Sequence, residues 1–139
     1  MTFQRGDESI EPAKTTPDGK IGVKIDGLTA QLYDVASGQE IDRPLELDKA
    51  NGYWERNKHI TAWAFNADGT MIAVAASWGS IGKAETDAEV YIWQVETQHL
   101  LVETNRFTRE GGDFGWVHRV GFSADGKTLR VHCEAPHGD

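Results

Sequence analysis

The chain has 139 residues, of which 39% are apolar and 26% are charged. This composition is typical of a folded domain and argues against a disordered chain. No apolar run approaches the ~20 residues that a membrane-spanning helix needs. The 14 basic and 22 acidic residues give a formal charge of −8, which disfavours nucleic acid and anionic membranes as partners because both carry negative charge. The single cysteine, Cys133, excludes an internal disulfide, and we expect a reducing, cytoplasmic compartment.

The first recognisable element in chain order is an Asp-Gly turn at Thr16–Lys20, which follows an N-terminal tail assigned to residues 1–8. The same turn recurs at Asn66–Thr70 and at Ser123–Lys127. An Asp-Gly pair can place both central turn residues at positive φ, which matches the twist of antiparallel strands. Three tight β-hairpins are therefore predicted.

Strand-like segments flank these turns. Those adjoining the turns are Ile60–Phe65 and Val117–Phe122 upstream, and Ile21–Ile25, Met71–Ala76 and Leu129–His132 downstream. The first two hairpins are followed by Ala30–Val35 and Glu89–Val95, and then by apolar segments near Ile41–Leu47 and Leu100–Val102. The pattern predicts a repeated unit of four short antiparallel strands. No window shows helical periodicity, so no helix is expected.

These residues resemble the WD40 β-propeller family. Residues 60–69 followed by Ala88–Val95 resemble one blade, with Trp93 at the family's tryptophan position and Asp87 at its tight-turn aspartate. Tyr33 stands at the tryptophan position of the preceding blade. The resemblance covers Ser9 to His132 and implies an all-β partial propeller. It assigns residues 9–58 to a first blade, 59–116 to a second, and 117–139 to the first half of a third blade with a tail.

The resemblance also implies structural roles and shows departures from the family pattern. The expected structural residues are Asp18, Asp68, Asp87, Trp93 and Asp125. The family's hydrogen-bonded tetrad of His, Ser or Thr, Trp and Asp comes close only in the second blade, where Ser77 is the candidate hydroxyl. Arg56 or Asp113 stands where the histidine is expected, so the tetrad is expected to be degenerate.

The predicted repeat is too short to close a propeller. The Asp-Gly turns are 50 and 57 residues apart, which exceeds the ~40–45 residues of typical WD40 blades and assigns the excess to loops. Propellers close with at least ~4 blades, and ten strands supply two and a half. The chain is then part of a longer propeller, a subunit that forms a ring with other copies, or an open array. Further blades from the same or another chain would cover apolar faces left unpaired.

Three long insertions predict the binding surface: Asp48–Lys58, Trp78–Ala88 and Thr104–Trp116. In this architecture they lie on one face, and they are rich in the residue types that dominate interface hot spots. The candidate partner-binding residues are Tyr53, Trp54, Arg56, Trp78, Phe107, Arg109, Phe114 and Trp116. Alternatively, the aromatic side chains seal the seams between adjacent sheets.

The sequence offers little for catalysis. His132, Cys133, His137 and Asp139 form the one local group of metal-ligand types, but they lie at a strand end and in a tail, so no metal, cofactor or catalytic residue is predicted. We expect a non-catalytic scaffold that binds a protein or peptide. The alternative is part of a propeller enzyme or small-ligand-binding protein completed by further blades. Such a site would draw on first-strand residues, which here are mainly Thr61, Trp63 and Arg119.

Overall fold

The structure, a computed structural model, describes residues 1–47, 58–78, 87–103, 107–108 and 116–134. Over these residues the chain is all-β and contains no helix, as predicted. The strands are β1 (Thr2–Arg5), β2 (Ile21–Asp26), β3 (Thr29–Asp34), β4 (Leu45–Glu46), β5 (His59–Phe65), β6 (Met71–Trp78), β7 (Asp87–Gln94), β8 (Leu100–Glu103), β9 (Phe107–Thr108), β10 (Trp116–Phe122) and β11 (Thr128–Glu134).

The strands form three sheets. The first sheet has the order β2-β3-β4, the central sheet has β5-β6-β7-β8 with β9 also paired to β7, and the third sheet has β1-β11-β10. All pairings are antiparallel except that of β1 with β11. The strand predicted over Ile41–Leu47 is reduced to the two residues of β4. Asp42 has a positive φ of 57° and Pro44 lacks an N–H, so neither extends a regular ladder.

The predicted repeat is present in the strand pairing. Ile60 pairs with Ala76, and a β-bulge shifts the next pair to Ala62 and Ala75. Val117, which lies 57 residues after Ile60, pairs with Cys133, and the same register shift follows it. The central and third sheets therefore share one hairpin geometry, bulge included.

The turns form by a different geometry from the one predicted. In each, only the glycine has positive φ: 72° at Gly19, 78° at Gly69 and 74° at Gly126. Its N–H donates to the carbonyl three residues earlier, as in the 2.8 Å bond from Gly19 to Thr16. The prediction that the aspartate also has positive φ is wrong. A hydrogen-bonded turn followed by one left-handed glycine is the bulged type of hairpin loop.

The central sheet is buried on both faces. Ile72 and Val74 of β6 pack with Leu32 in a cluster shared with the first sheet, whereas Ala73 and Ala75 join a second cluster shared with the third sheet. A strand covered on both sides needs apolar residues at successive positions, which explains the run from Met71 to Ala76. Each large apolar side chain buried in this way stabilises the folded state by about 1.5–3 kcal/mol. Most of the core therefore lies in the two interfaces between stacked sheets.

The outer faces of the stack are polar where the structure describes them. The outward face of the first sheet carries Lys24, Gln31 and Tyr33, with the Lys24 Nζ 4.9 Å from the centre of the Tyr33 ring. The outward face of the third sheet carries Arg119 and His132, which pair across β10 and β11. A solitary open array was expected to leave apolar faces unpaired, and these outward-facing residues do not form such faces. Polar outer faces are what terminal units of a stacked array require.

The N-terminal region differs from the predicted tail. Thr2–Arg5 forms β1, parallel to β11, with Thr2 opposite Thr128. Residues 6–15 cross the stack instead of forming the first strand of a blade. Arg119 donates from Nη1 to the Glu8 and Ile10 carbonyls at 3.0 and 3.1 Å, and Phe65 N–H donates to the Ala13 carbonyl at 2.8 Å. A parallel strand whose partner is so distant in sequence leaves no local signal, so the prediction missed it.

Two glycine variants test whether adjacent turns support each other. A Cβ added at Gly69 would lie 2.9 Å from the Pro17 Cδ of the preceding turn, whereas one at Gly19 would meet nothing within 4 Å. Both positions have positive φ, so each alanine costs about 1–2 kcal/mol in backbone strain. Gly69→Ala should lower the free energy of unfolding in urea by about 1–3 kcal/mol more than Gly19→Ala because of the added overlap. Equal losses would show that the turns do not press together.

Candidate functional site

The stack has two ends with different character. Strands β5, β7 and β10 begin, and β6 ends, at the end where the predicted long insertions leave the sheets; we call this the loop end. The three Asp-Gly turns lie at the opposite end, the turn end. A binding site at either end is built on strand termini held by the stack.

The structure places only part of the predicted binding patch. Phe107 lies in β9, where its backbone pairs with Ala88, and its side chain is outside the described residues. Five further candidates lie wholly outside them: Tyr53, Trp54, Arg56, Arg109 and Phe114. The geometry of the loop end therefore rests on Trp78, Trp116 and their neighbours.

Trp78 belongs to the core rather than to an exposed patch. It is 0% exposed and pairs with Asp87 at the end of β6. The Lys58 Nζ lies 5.0 Å from the centre of its ring, a cation–π distance. This position fits the alternative interpretation, in which an aromatic side chain seals a seam, and it removes Trp78 from the candidate contact residues.

A buried polar chain lies beneath the loop end. The Lys58 Nζ is 3.3 Å from Glu89 Oε1, and Glu89 Oε2 accepts a 2.5 Å hydrogen bond from the Tyr91 hydroxyl. Tyr91 in turn stacks on Trp93, with ring centres 5.6 Å apart. The side chain of Lys58 is only 1% exposed, so this ion pair is shielded from solvent. Sequence reasoning assigned Lys58 to a loop and missed the pair, because its partner is 31 residues away.

Of the two predicted contact residues whose side chains the structure describes, Trp116 is the one at the surface. It is half-buried at the start of β10, and its ring meets the exposed His59 ring edge-on at a centre-to-centre distance of 5.2 Å. The two residues open adjacent strands of different sheets. An aromatic side chain with one side packed and the other accessible is a suitable anchor for a partner.

Ser77 holds the central and third sheets together behind this pair. It is fully buried, its hydroxyl lies 2.8 Å from the Thr61 hydroxyl, and it accepts a 3.0 Å hydrogen bond from the Val117 N–H. Ser77 therefore faces the third sheet, whereas Trp93 packs in the cluster toward the first. The proposed tetrad link between Ser77 and Trp93 is not formed, because the two residues lie on opposite faces. The side chain of Asp87 lies outside the described residues.

At the turn end, the structural role predicted for Asp18, Asp68 and Asp125 has a clear geometric basis. Each Oδ1 accepts a 3.0 Å hydrogen bond from the backbone N–H two residues later. Each also accepts a 2.6 Å bond from a hydroxyl, donated by Thr16, Thr70 and Ser123 respectively. The hydroxyl bond is the largest cause, and the backbone bond the next, that holds the pKa of each carboxyl below its ordinary 3.8.

An open groove of about 630 Å³ lies between the first and central sheets at the turn end. Its apolar lining comes from Ile21, Leu32, Ile41 and Val95. Three carboxylates line it as well, those of Asp18, Asp68 and Glu96. Sequence reasoning did not find this groove, because its lining comes from both sheets and from residues as far apart as Thr16 and Thr97.

The remaining histidine and cysteine candidates do not form a cluster of metal ligands in the described part of the chain. His132 faces His118 with ring centres 6.0 Å apart, and its buried Nδ1 has no hydrogen-bond partner in the described part of the chain. Cys133 is a buried cysteine in the core shared by the central and third sheets. Among the described residues, no three His, Cys, Asp or Glu side chains are placed to hold a metal ion. The same residues include no helix that could cross a membrane.

Comparison with known proteins adds no assignment to this geometry. The chain matches no protein-family model and no curated protein sequence.

The turn carboxylates predict an acid-dependent contribution to stability. Their folded pKa values lie below the unfolded value, so their contribution is complete at about pH 5 and above and is lost as the pH falls through the folded pKa. At neutral pH, Asp68→Asn should unfold at lower urea than the wild type, and the gap should narrow from about pH 5 to about pH 2. Urea titrations across that range measure it, and Asp26→Asn, on a strand, is the control. A pH-independent gap would contradict the assignment.

Proposed function

We propose that this protein is a non-catalytic, WD40-like interaction module that binds a protein or peptide partner at its loop end. The observation that carries the proposal is the pair formed by Trp116 and His59, where an accessible tryptophan is held against an exposed ring. The pair lies where two long aromatic-rich insertions meet the sheets. The proposed surrounding contacts are residues of these insertions: Tyr53, Trp54, Arg56, Phe107, Arg109 and Phe114.

Preorganisation supports Trp116 as the anchor. The hydrogen bond from Val117 N–H to the buried Ser77 hydroxyl fixes the start of β10 against the central sheet. An anchor already held in its bound position loses less conformational freedom on association, and more of its contact energy then appears as affinity. Side chains carried on strand ends are also positioned more accurately than those carried on loops.

The fold proposed for this module is an open stack of WD40-like blades. Supporting observations are the bulged hairpin shared by the central and third sheets and the register of the aromatic residues: Tyr33 lies opposite Gly22 as Trp93 lies opposite Ile72. Of the three arrangements considered from the sequence, the polar outer faces favour the open array. Ile10 and the carbonyls bound by Arg119 further cover the outward face of the third sheet.

The alternative function, an enzyme or small-ligand-binding protein with a central site, would draw on residues of the first strands. The contacts that these residues make favour the scaffold instead. Thr61 contacts the Ser77 hydroxyl, and Arg119 is bonded to two backbone carbonyls of the N-terminal segment. The Trp63 ring is covered by the Lys14 Nζ, 3.7 Å from its centre. Each of these side chains is engaged in holding segments of the chain together, which supports a structural role for them.

The test uses random linear peptides displayed on phage and selected against the wild-type protein. Selected peptides that bind the loop end should bind Trp116→Ala at least about tenfold more weakly, as expected for a hot-spot tryptophan. They should bind Tyr33→Ala, which removes a half-buried aromatic from an outer face, with unchanged affinity. Thermal melting confirms that both variants fold. If no selected peptide depends on Trp116, or if both variants weaken binding equally, the proposal fails.

A further inference from the structure

We propose that the groove at the turn end is a second binding site, specific for a peptide segment of a partner that carries basic side chains on both sides of one apolar side chain. This site is separate from the loop end, because β5, β6 and β7 run from one end to the other. Its three supports are an apolar floor, a rim of fixed negative charge and rigid walls.

The floor of the groove is apolar and built from both sheets. Its accessible apolar surface comes from three half-buried residues, Ile21 of the first sheet, Ile41, and Val95 after β7, whereas Leu32 also lines the groove but is only 1% exposed. The cavity volume of about 630 Å³ falls within the ~300–1,000 Å³ of typical ligand sites, so one large aliphatic side chain fits with room for its neighbours. Covering this floor would remove apolar surface from water, which is the favourable part of binding.

The rim carries negative charge that is present at neutral pH. Asp18 and Asp68 are ionised, because hydrogen bonds within their turns hold the pKa of each below the ordinary value. Glu96 adds a third, exposed carboxylate. None of the described lining residues is basic, although Lys20 lies close enough to Asp18 to lower its pKa further. A segment with lysine or arginine beside its apolar residue is the complementary partner.

The walls of the groove are rigid, which favours a peptide over a partner that must reshape the site. Pro17 and Thr16 of the first turn pack directly against Gly69 of the second. The two aspartates are held by their own turns, so the charges keep their spacing before a ligand arrives. The groove is open rather than enclosed, so an extended chain can enter and leave it along its length.

Nuclear magnetic resonance with synthetic peptides tests the proposal on the full chain labelled with ¹⁵N. The probe contains Lys-Leu-Lys in a Gly-Ser frame, and its controls contain Lys-Ser-Lys and Glu-Leu-Glu in the same frame. The Lys-Leu-Lys peptide should shift the amide signals of Thr16, Asp18–Ile21, Asp68–Thr70 and Gln94–Thr97 in a saturable way. The Lys-Ser-Lys peptide should bind at least about fivefold more weakly, and the acidic peptide should not bind.

A matched pair of charge reversals separates the groove from overall charge. Glu96→Lys and Glu11→Lys raise the net charge equally, but only Glu96 lines the groove. Glu96→Lys should weaken binding of the Lys-Leu-Lys peptide at least about fivefold, whereas Glu11→Lys should leave it unchanged. Both positions are exposed, so neither variant should unfold the chain. Trp116→Ala should not affect this binding, which keeps the result independent of the loop-end proposal.

Three outcomes would overturn the inference. The first is equal weakening by Glu96→Lys and Glu11→Lys, which would show attraction to net charge alone. The second is equal binding of Lys-Ser-Lys and Lys-Leu-Lys, which would show that the apolar floor takes no part. The third is no saturable shift at the groove signals up to about 1 mM peptide, above the weakest affinity expected for a specific site.

Discussion

The burial of the central sheet on both faces is the constraint on which the rest of the structure depends. Alternate residues of β6 enter two different clusters, so the first and third sheets must both be present to keep water from Val74 on one side and Ala75 on the other. The two seams differ in filling. Phe65, Tyr91 and Trp93 fill the first, whereas alanines on the central sheet let the third sheet approach closely.

The parts of this fold that could be predicted are those with short-range signals. The turns at Asp18, Asp68 and Asp125 and the alternating segments beside them located most strands to within a few residues. The unpredicted parts depend on contacts between distant residues. The parallel pairing of Thr2 with Thr128 and the crossing of the N-terminal segment over the third sheet belong to this class. So does the hydrogen bond from the Val117 N–H to the Ser77 hydroxyl, which joins residues 40 positions apart.

The candidate sites also divide into features with a local sequence signal and features built from residues distant in sequence. Composition alone directed attention to the aromatic insertions, and Trp116 remains a candidate on geometric grounds, whereas Trp78 proved to be part of the core. A residue's type in a loop does not determine whether its ring is covered, since that depends on what packs above it. The groove at the turn end was out of reach of sequence reasoning, because the same aspartates that signal the turns also line a space between two sheets. The molecule thus carries two candidate surfaces of different chemistry on one rigid stack.

The central proposal is an open stack of three sheets, in which the polar outer faces seen among the described residues let the stack shield its core without further blades. The most direct test is the mass in solution, measured by light scattering after gel filtration at two concentrations about a hundredfold apart. The account predicts the mass of one chain at both concentrations, together with a cooperative unfolding transition. A discrete oligomer that persists on dilution would show that the outer faces are interfaces, and it would contradict the account.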